Sequence, residues 1–245
     1  MGVPVIGCDC AVCLSEDPRD RRTRSSIYVE TPEMAWVVDT GADLRSQCLR
    51  EKVGRVDAVV FTHSHTDHIM GFDDLRPFCF GMRAMPIYAS PETMEDLQRV
   101  FAWAFSGQFR FPGYILPEPR LIEGPFQLGK TTVVPFPVVH GRAQVNGYLF
   151  LREGRKVATY VSDVKQVPDE ALELIAGTEV LIIDGLRPKV HPTHLSISEA
   201  VEVAQRVGAG KTWLTHLCHE AGHIATEAGL PENVRVAYDG LRLEL

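Results

Sequence analysis

Residues 59–68 read Val59-Val60-Phe61-Thr62-His63-Ser64-His65-Thr66-Asp67-His68, and this stretch organises the rest of the chain. The mostly apolar run 56–61 predicts a buried strand. Just past it stand His63, His65, Asp67 and His68, spaced too tightly for a His pair borne on a helix, so a loop is expected to carry them. Imidazole and carboxylate suit borderline divalent ions such as zinc, manganese and iron. A loop can fold four such donors around two neighbouring ions, and H-x-H-x-D-H therefore reads as a two-metal motif.

The composition fits a globular protein. The 245 residues are 45% hydrophobic and 23% charged, enough apolar material for a sizeable core, and no linker or charge block divides them. A single domain over 1–245 is the expectation. The net charge of −7 disfavours nucleic acid as a partner, and the basic run Arg19, Arg21, Arg22 and Arg24 is expected to be a solvated loop. No secretory segment opens the chain and no apolar run reaches about 18 residues, which predicts a cytoplasmic protein without a membrane partner. Its six cysteines then read as thiols or thiolates.

Three of these cysteines, Cys8, Cys10 and Cys13, form C-x-C-x2-C on a turn within 1–20. One zinc seeking a fourth ligand is the simplest explanation, with a redox pair or incidental thiols as alternatives. Segments 26–29 and 35–38 predict a strand pair, with Asp39 at its exit either orienting a ligating imidazole or serving as a plain turn residue. A helix is expected from Pro91 to about Ala104, with Met94, Leu97, Val100, Phe101 and Ala104 on its apolar face. Residues 105–119, rich in Phe, Tyr, Gly and Pro, read as a lid loop bordering an active site. Strands follow at 132–139, 147–151 and 156–161, the last two joined by a turn, and His140 and Asp163 stand where they end. Further on come a helix at 168–176, a strand at 180–183 ending at Asp184, and a helix opened by the capping box Ser196/Glu199. His194 precedes that helix, and the strand 211–214 leads into His216-Leu-Cys-His219.

His63, His65, Asp67, His68, His140, Asp163 and His216 recur in the order and rough spacing of the metallo-β-lactamase superfamily of binuclear hydrolases, which the chain resembles over nearly its whole length. The resemblance implies an α/β fold, a four-layer αββα sandwich. By the same resemblance His63, His65 and His140 bind one divalent ion, Asp67, His68 and His216 bind the other, and Asp163 bridges them. Zinc and manganese are both compatible with these donors. Within the superfamily, the Gly2-to-Cys13 opening and the His-x2-His pair resemble the PhnP-type phosphodiesterase associated with the carbon-phosphorus lyase pathway. That likeness implies a structural zinc held by Cys8, Cys10, Cys13 and His219. It also makes His194 a non-ligand histidine that contacts substrate phosphate and assists the leaving group, alongside Asp67 and Asp163 in the catalytic centre.

The implied reaction is hydrolysis of a small, cyclic sugar or nucleotide phosphodiester by a metal-bridging hydroxide. Three alternatives stand beside it. A tRNA 3′-processing endonuclease shares the metal motifs but needs a basic arm that this sequence lacks, and a glyoxalase- or lactonase-type hydrolase generally lacks a histidine at 194. A zinc-stabilised scaffold would gain nothing from all seven ligands. The sequence departs from the family in starting at Met1-Gly2, without the usual first strand and Gly-Thr-Gly turn. Either the start lies upstream or that strand is missing and an apolar edge stays open. A homodimer is the assembly to test first, dimers being the commonest soluble oligomers. His191 and His223 receive no role, and Cys48, Cys79 and Cys218 are expected to be small buried hydrophobes.

Overall fold

The computed structural model describes residues 2–107 and 113–245. Its contacts divide the chain into two compact units, Arg24–Gly129 and the pair Met1–Thr23 with Lys130–Leu245.

In the Arg24–Gly129 unit, strands β1 (Ile27–Glu30), β2 (Ala35–Val38), β3 (Ala58–Val60), β4 (Met85–Ala89) and β5 (Pro117–Leu121) form one sheet in that order. The β1–β2 pair is antiparallel, with Ile27 opposite Val38 and the turn at 31–34 between them, and the other pairs are parallel. Every residue of β2 and β3 is buried, and such strands inside a parallel sheet read as unbroken apolar runs. Pro117 and Pro119 are tolerated because β5 is an edge strand. The core joins Val37, Val59 and Ile87 of the strands to Leu44 of α1 (Leu44–Glu51) and to Met94 and Leu97 of α3 (Pro91–Val100).

Helix α3 starts as its sequence dictates, with Pro91 in the first turn and the Ser90 hydroxyl accepting the Thr93 N–H at 3.2 Å. The single helix expected to run to Ala104 instead breaks at Phe101 and resumes as α4 (Ala102–Phe105). Val100 is 47% exposed, because it stands about 120° around the helix from Met94 and so misses the apolar stripe. The lid expectation narrows too. Phe105 ends α4 with its ring stacked on Phe72 at 5.8 Å, and Pro117 already belongs to β5, while Phe109, Phe111 and Pro112 lie outside the described residues.

The other unit carries β7 (Thr131–His140), β8 (Ala143–Arg152), β9 (Arg155–Val161), β10 (Val180–Asp184), β11 (Lys211–Thr215) and β12 (Val234–Val236) in sheet order β12-β11-β10-β9-β8-β7; the short β6 (Phe126–Leu128) precedes them. Strands β7 to β9 pair antiparallel, and β9 to β12 pair parallel. Glu153 and Gly154 both have positive φ, which closes the two-residue β8–β9 hairpin. Helices α5 (Asp169–Ile175) and α6 (Ile197–Val207) bury Leu172, Ile175, Ala200 and Ala204 against Val161, Ile183 and Leu214. The Ser196/Glu199 capping box opens α6 and Gly208, at φ 64°, closes it. Helix α7 (His223–Glu227), like α1, β5, β6 and β12, has no counterpart in the sequence reading.

The basic run is a solvated loop only in part, for Arg21 is exposed and Arg22 is not. Arg22 is buried, paired with Asp20 at 3.0 Å and donating to the Cys218 carbonyl at 3.0 Å. It is also bridged to Val3 through two 2.8 Å backbone hydrogen bonds. Arg19 pairs with Asp17, and Arg24 pairs with Asp43. A buried guanidinium needs both a counter-charge and acceptors, and Asp20 and Cys218 supply them.

Candidate metal centres

The decamer is half loop and half helix. His63 and His65 lie on the loop after β3, whereas Asp67 and His68 occupy α2 (Thr66–Ile69), so the expectation of an all-loop cluster holds only for the first pair. The imidazoles still gather, with ring centroids of His63 4.5 Å from His65 and 4.3 Å from His68. His63 and His68 are buried, Asp67 is half-buried and His65 is exposed.

Asp39 organises this group. Its carboxylate accepts from His68 Nδ1 at 2.8 Å, from the Thr62 N–H at 2.8 Å and from the Thr62 hydroxyl at 2.8 Å. Since that hydroxyl donates to Asp39, it accepts from His63 Nδ1, 2.9 Å away. Both rings therefore carry their proton on Nδ1 and their lone pair on Nε2, the arrangement of metal-ligating histidines. Of the two readings open for Asp39, the orienting one is what the hydrogen bonds show.

The turn at 39–41 also clamps α2, through Thr40 N–H to the His68 carbonyl and Gly71 N–H to the Thr40 carbonyl, both 2.7 Å. Gly71 is obligatory here, because a Cβ on it would lie 2.1 Å from the Gly41 carbonyl oxygen. Asp39 itself holds φ at 65°, a left-handed conformation that aspartate tolerates better than most residues.

The second unit groups Asp163, His194 and His216 closely enough that one donor atom from each lies within 4.8 Å of the others. Asp163 is buried, with His216 Nε2 at 3.6 Å, His140 Nε2 at 3.7 Å and His194 Nε2 at 4.0 Å from its carboxylate. His140 ends β7, and its Nδ1 donates to the Thr193 carbonyl at 2.7 Å, which again leaves the lone pair on Nε2. His194 is held as His68 is, with its Nδ1 bound to a buried carboxylate, that of Asp184, at 2.7 Å. Asp184 is fully buried, and burial pushes its carboxyl well up, against the opposing pull of His216 and the Val164 N–H. The sequence reading placed Asp184 only at a strand end. The one available signal was that Asp163 stands just past the end of its own strand, close to where Asp184 ends β10.

The third group is compact. Cys8, Cys10 and Cys13 place their sulfurs 3.2, 3.5 and 3.8 Å from His219 Nδ1. A tetrahedral zinc with bonds of about 2.0–2.3 Å needs donor separations of about 3.3–3.8 Å, and the three sulfur–nitrogen distances lie in or close to that range. Positive φ at Gly7 turns the chain into the knuckle, where Cys10 Sγ accepts the Cys13 N–H at 3.4 Å and Cys13 Sγ accepts the Val5 N–H at 3.3 Å. The Cys13 N–H is the main reason the Cys10 thiol drops to about 6. Among the remaining cysteines only Cys79 is fully buried, while Cys48 and Cys218 are half-buried, and burial pushes all three thiols up. His223, left without a role, is buried at the start of α7.

Comparison with known proteins gives the family. The Beta-lactamase superfamily domain family matches residues 36–217. A solved structure of a diphosphatase from the PhnP family is 38% identical, with a TM-score of 0.90, over 100% of this chain and 93% of that one. The octanoyltransferase of Porphyromonas gingivalis is 34% identical over 98% of this chain but only 48% of its own length. Ribonuclease Z of Bradyrhizobium diazoefficiens is 29% identical over 69% of this chain and 58% of its own length. The chain thus spans about half the length of these two curated relatives. No helix among the described residues is long and apolar enough to cross a membrane.

Proposed function

The chain belongs to the metallo-β-lactamase superfamily, a fold of metal-dependent hydrolases, and from that premise we propose that it is a phosphodiesterase acting on small phosphodiesters, cyclic sugar or nucleotide phosphates above all. The observation that carries the reading is His194: its Nδ1 is held by buried Asp184 while its Nε2 stands 4.0 Å from Asp163. We take His63, His65 and His140 as ligands of one ion, Asp67, His68 and His216 as ligands of the other, and Asp163 as their bridge. The donor types and the Nδ1 protonation of His63, His68 and His140 support this.

Divalent ions bound to such donors supply Lewis acidity and lower the pKa of water toward about 7. The chain's own residues then handle the leaving group. His194, as imidazolium, gives its Nε2 proton to the departing alkoxide, and Asp184 keeps the ring oriented through Nδ1. The resulting product is a phosphomonoester. The PhnP-family relative is described as a diphosphatase, and cleavage of a phosphoric anhydride here would use the same proton donor. The net charge of −7 leaves a long RNA as the weaker substrate despite the similarity to ribonuclease Z.

A second reading, a carbonyl ester or thioester hydrolase, is favoured by the similarity to half of an octanoyltransferase. Turnover of bis(p-nitrophenyl) phosphate, 2′,3′-cyclic nucleotides, a dinucleoside diphosphate, an octanoyl thioester and a lactone, with manganese or zinc added, separates the two. Hydrolysis confined to the thioester or lactone overturns the first reading.

A further inference from the structure

His191 takes no part in the assignments above, yet it sits at the tip of the loop that delivers His194. Backbone hydrogen bonds close the base of that loop, from Leu186 N–H to the Leu195 carbonyl at 3.0 Å and from Ile197 N–H to the Arg187 carbonyl at 2.9 Å. Side chains shape the tip. Arg187 donates to the carbonyls of Lys189 and Val190, both at 3.3 Å, and is anchored by Glu220 at 2.9 Å. His191 Nδ1 accepts the Thr193 N–H at 3.3 Å and lies 3.2 Å from the Thr193 hydroxyl. A side-chain acceptor bonded to the N–H two residues on is how an Asx-turn is closed, here with a ring nitrogen over Pro192.

The consequence falls on both neighbouring histidines. With its N–H held, Thr193 turns its carbonyl to His140 Nδ1 at 2.7 Å, and the next residue, His194, reaches Asp184 at 2.7 Å. The His191 ring also lies against that of His194, with centroids 5.1 Å apart at 55°. Val190, beside it, is 67% exposed and gives the tip little apolar anchorage.

We propose that His191 is the positioning residue for His194, fixing through its 191–193 turn the orientation in which His194 meets Asp184 and faces the leaving group. This rests on the reading of His194 as proton donor. A positioning role has a signature that a general structural role lacks. An alkoxide needs a proton to leave, whereas p-nitrophenolate does not, so misplacing His194 slows only the first.

The test compares wild type, H191A, H191N and H194A at saturating manganese, with kcat and KM measured on a 2′,3′-cyclic nucleotide and on bis(p-nitrophenyl) phosphate. H191A is expected to lose about tenfold in kcat on the cyclic nucleotide, a part of the 10²–10⁴ that a proton donor contributes, with KM within about twofold and a clearly smaller loss on the p-nitrophenyl ester, saturating manganese offsetting a looser hold on His140. H191N, whose amide oxygen can accept the Thr193 N–H, is expected to restore most of the loss. The proposal is overturned if H191A matches wild type while H194A is slow, if H191A loses equally on both substrates, or if H191N restores nothing. If H194A matches wild type, or wild type cleaves neither ester, the underlying reading fails and the positioning role goes with it.

Discussion

The carboxylate of Asp39 meets Nδ1 of His68 at 2.8 Å, and neither side chain is accessible to solvent. One oxygen of that carboxylate also takes the Thr62 hydroxyl, which in turn serves His63. A single buried anion therefore sets the protonation of two imidazoles that stand on different elements, a loop and a helix.

Replacing Asp39 with Asn preserves its shape but removes the charge that holds a proton on His68 Nδ1. Metal affinity is expected to fall about 10–100-fold, as for other groups that orient metal-ligating histidines. Competition with a chromophoric chelator measures it, and affinity equal to wild type would show that Asp39 does not tune the centre.

At the knuckle, Cys10→Ser is expected to remove one zinc per chain and to lower the melting temperature, because binding at a structural zinc site is folding free energy. The seven His and Asp donors should keep their own complement. Elemental analysis alongside thermal melts checks both, and an unchanged zinc count contradicts a separate cysteine site.

Gly71→Ala drives a methyl group against the Gly41 carbonyl. A cost of about 3 kcal/mol is expected, the upper end of overpacking, with the turn at 39–41 pushed off α2. Gly124→Ala, where nothing lies within 4 Å, is the control and should stay within about 0.5 kcal/mol. Denaturant midpoints for the two variants decide this.

His223 is buried, and burial, then the positive charge of Arg19, pushes its imidazole below the ordinary value. Arg22 adds to this; Glu227, 3.8 Å away, and Asp17 oppose it, and Tyr238 packs edge-on. The unfolded chain takes up a proton near pH 6.5 while the folded chain resists it, so the stability contribution is complete above about 6.5 and is lost as pH falls toward the lower folded value. Wild type should therefore lose more stability than H223Q between pH 7 and 5, as read by urea denaturation at about half-unit steps.

Much of this was written in the local sequence. Metal donors must be particular atom types, so H-x-H-x-D-H and C-x-C-x2-C announce themselves by residue identity alone. The capping box at Ser196/Glu199 and the strand ends at His140, Asp163 and Asp184 follow from propensities that act over a few residues. The break at Phe101, the exposure of Val100 and the helical half of the decamer did not, because each depends on which neighbours complete the packing.

The roles of Asp184, Thr193, His191 and Arg22 belong to tertiary structure. Parallel pairing sets Ile183 opposite Val161 and Asp184 opposite Thr215, and that register brings the ends of β9, β10 and β11 to one edge, where Asp163, Asp184 and His216 stand together. Arg22 likewise finds its acceptor on Cys218, almost two hundred residues away along the chain. The sequence by itself determined which atoms could bind metal. Only the hydrogen-bond register between distant strands decided which of the remaining side chains would hold those atoms in place, since a carboxylate orients an imidazole at about 2.7–2.9 Å and not at any chosen spacing along the chain.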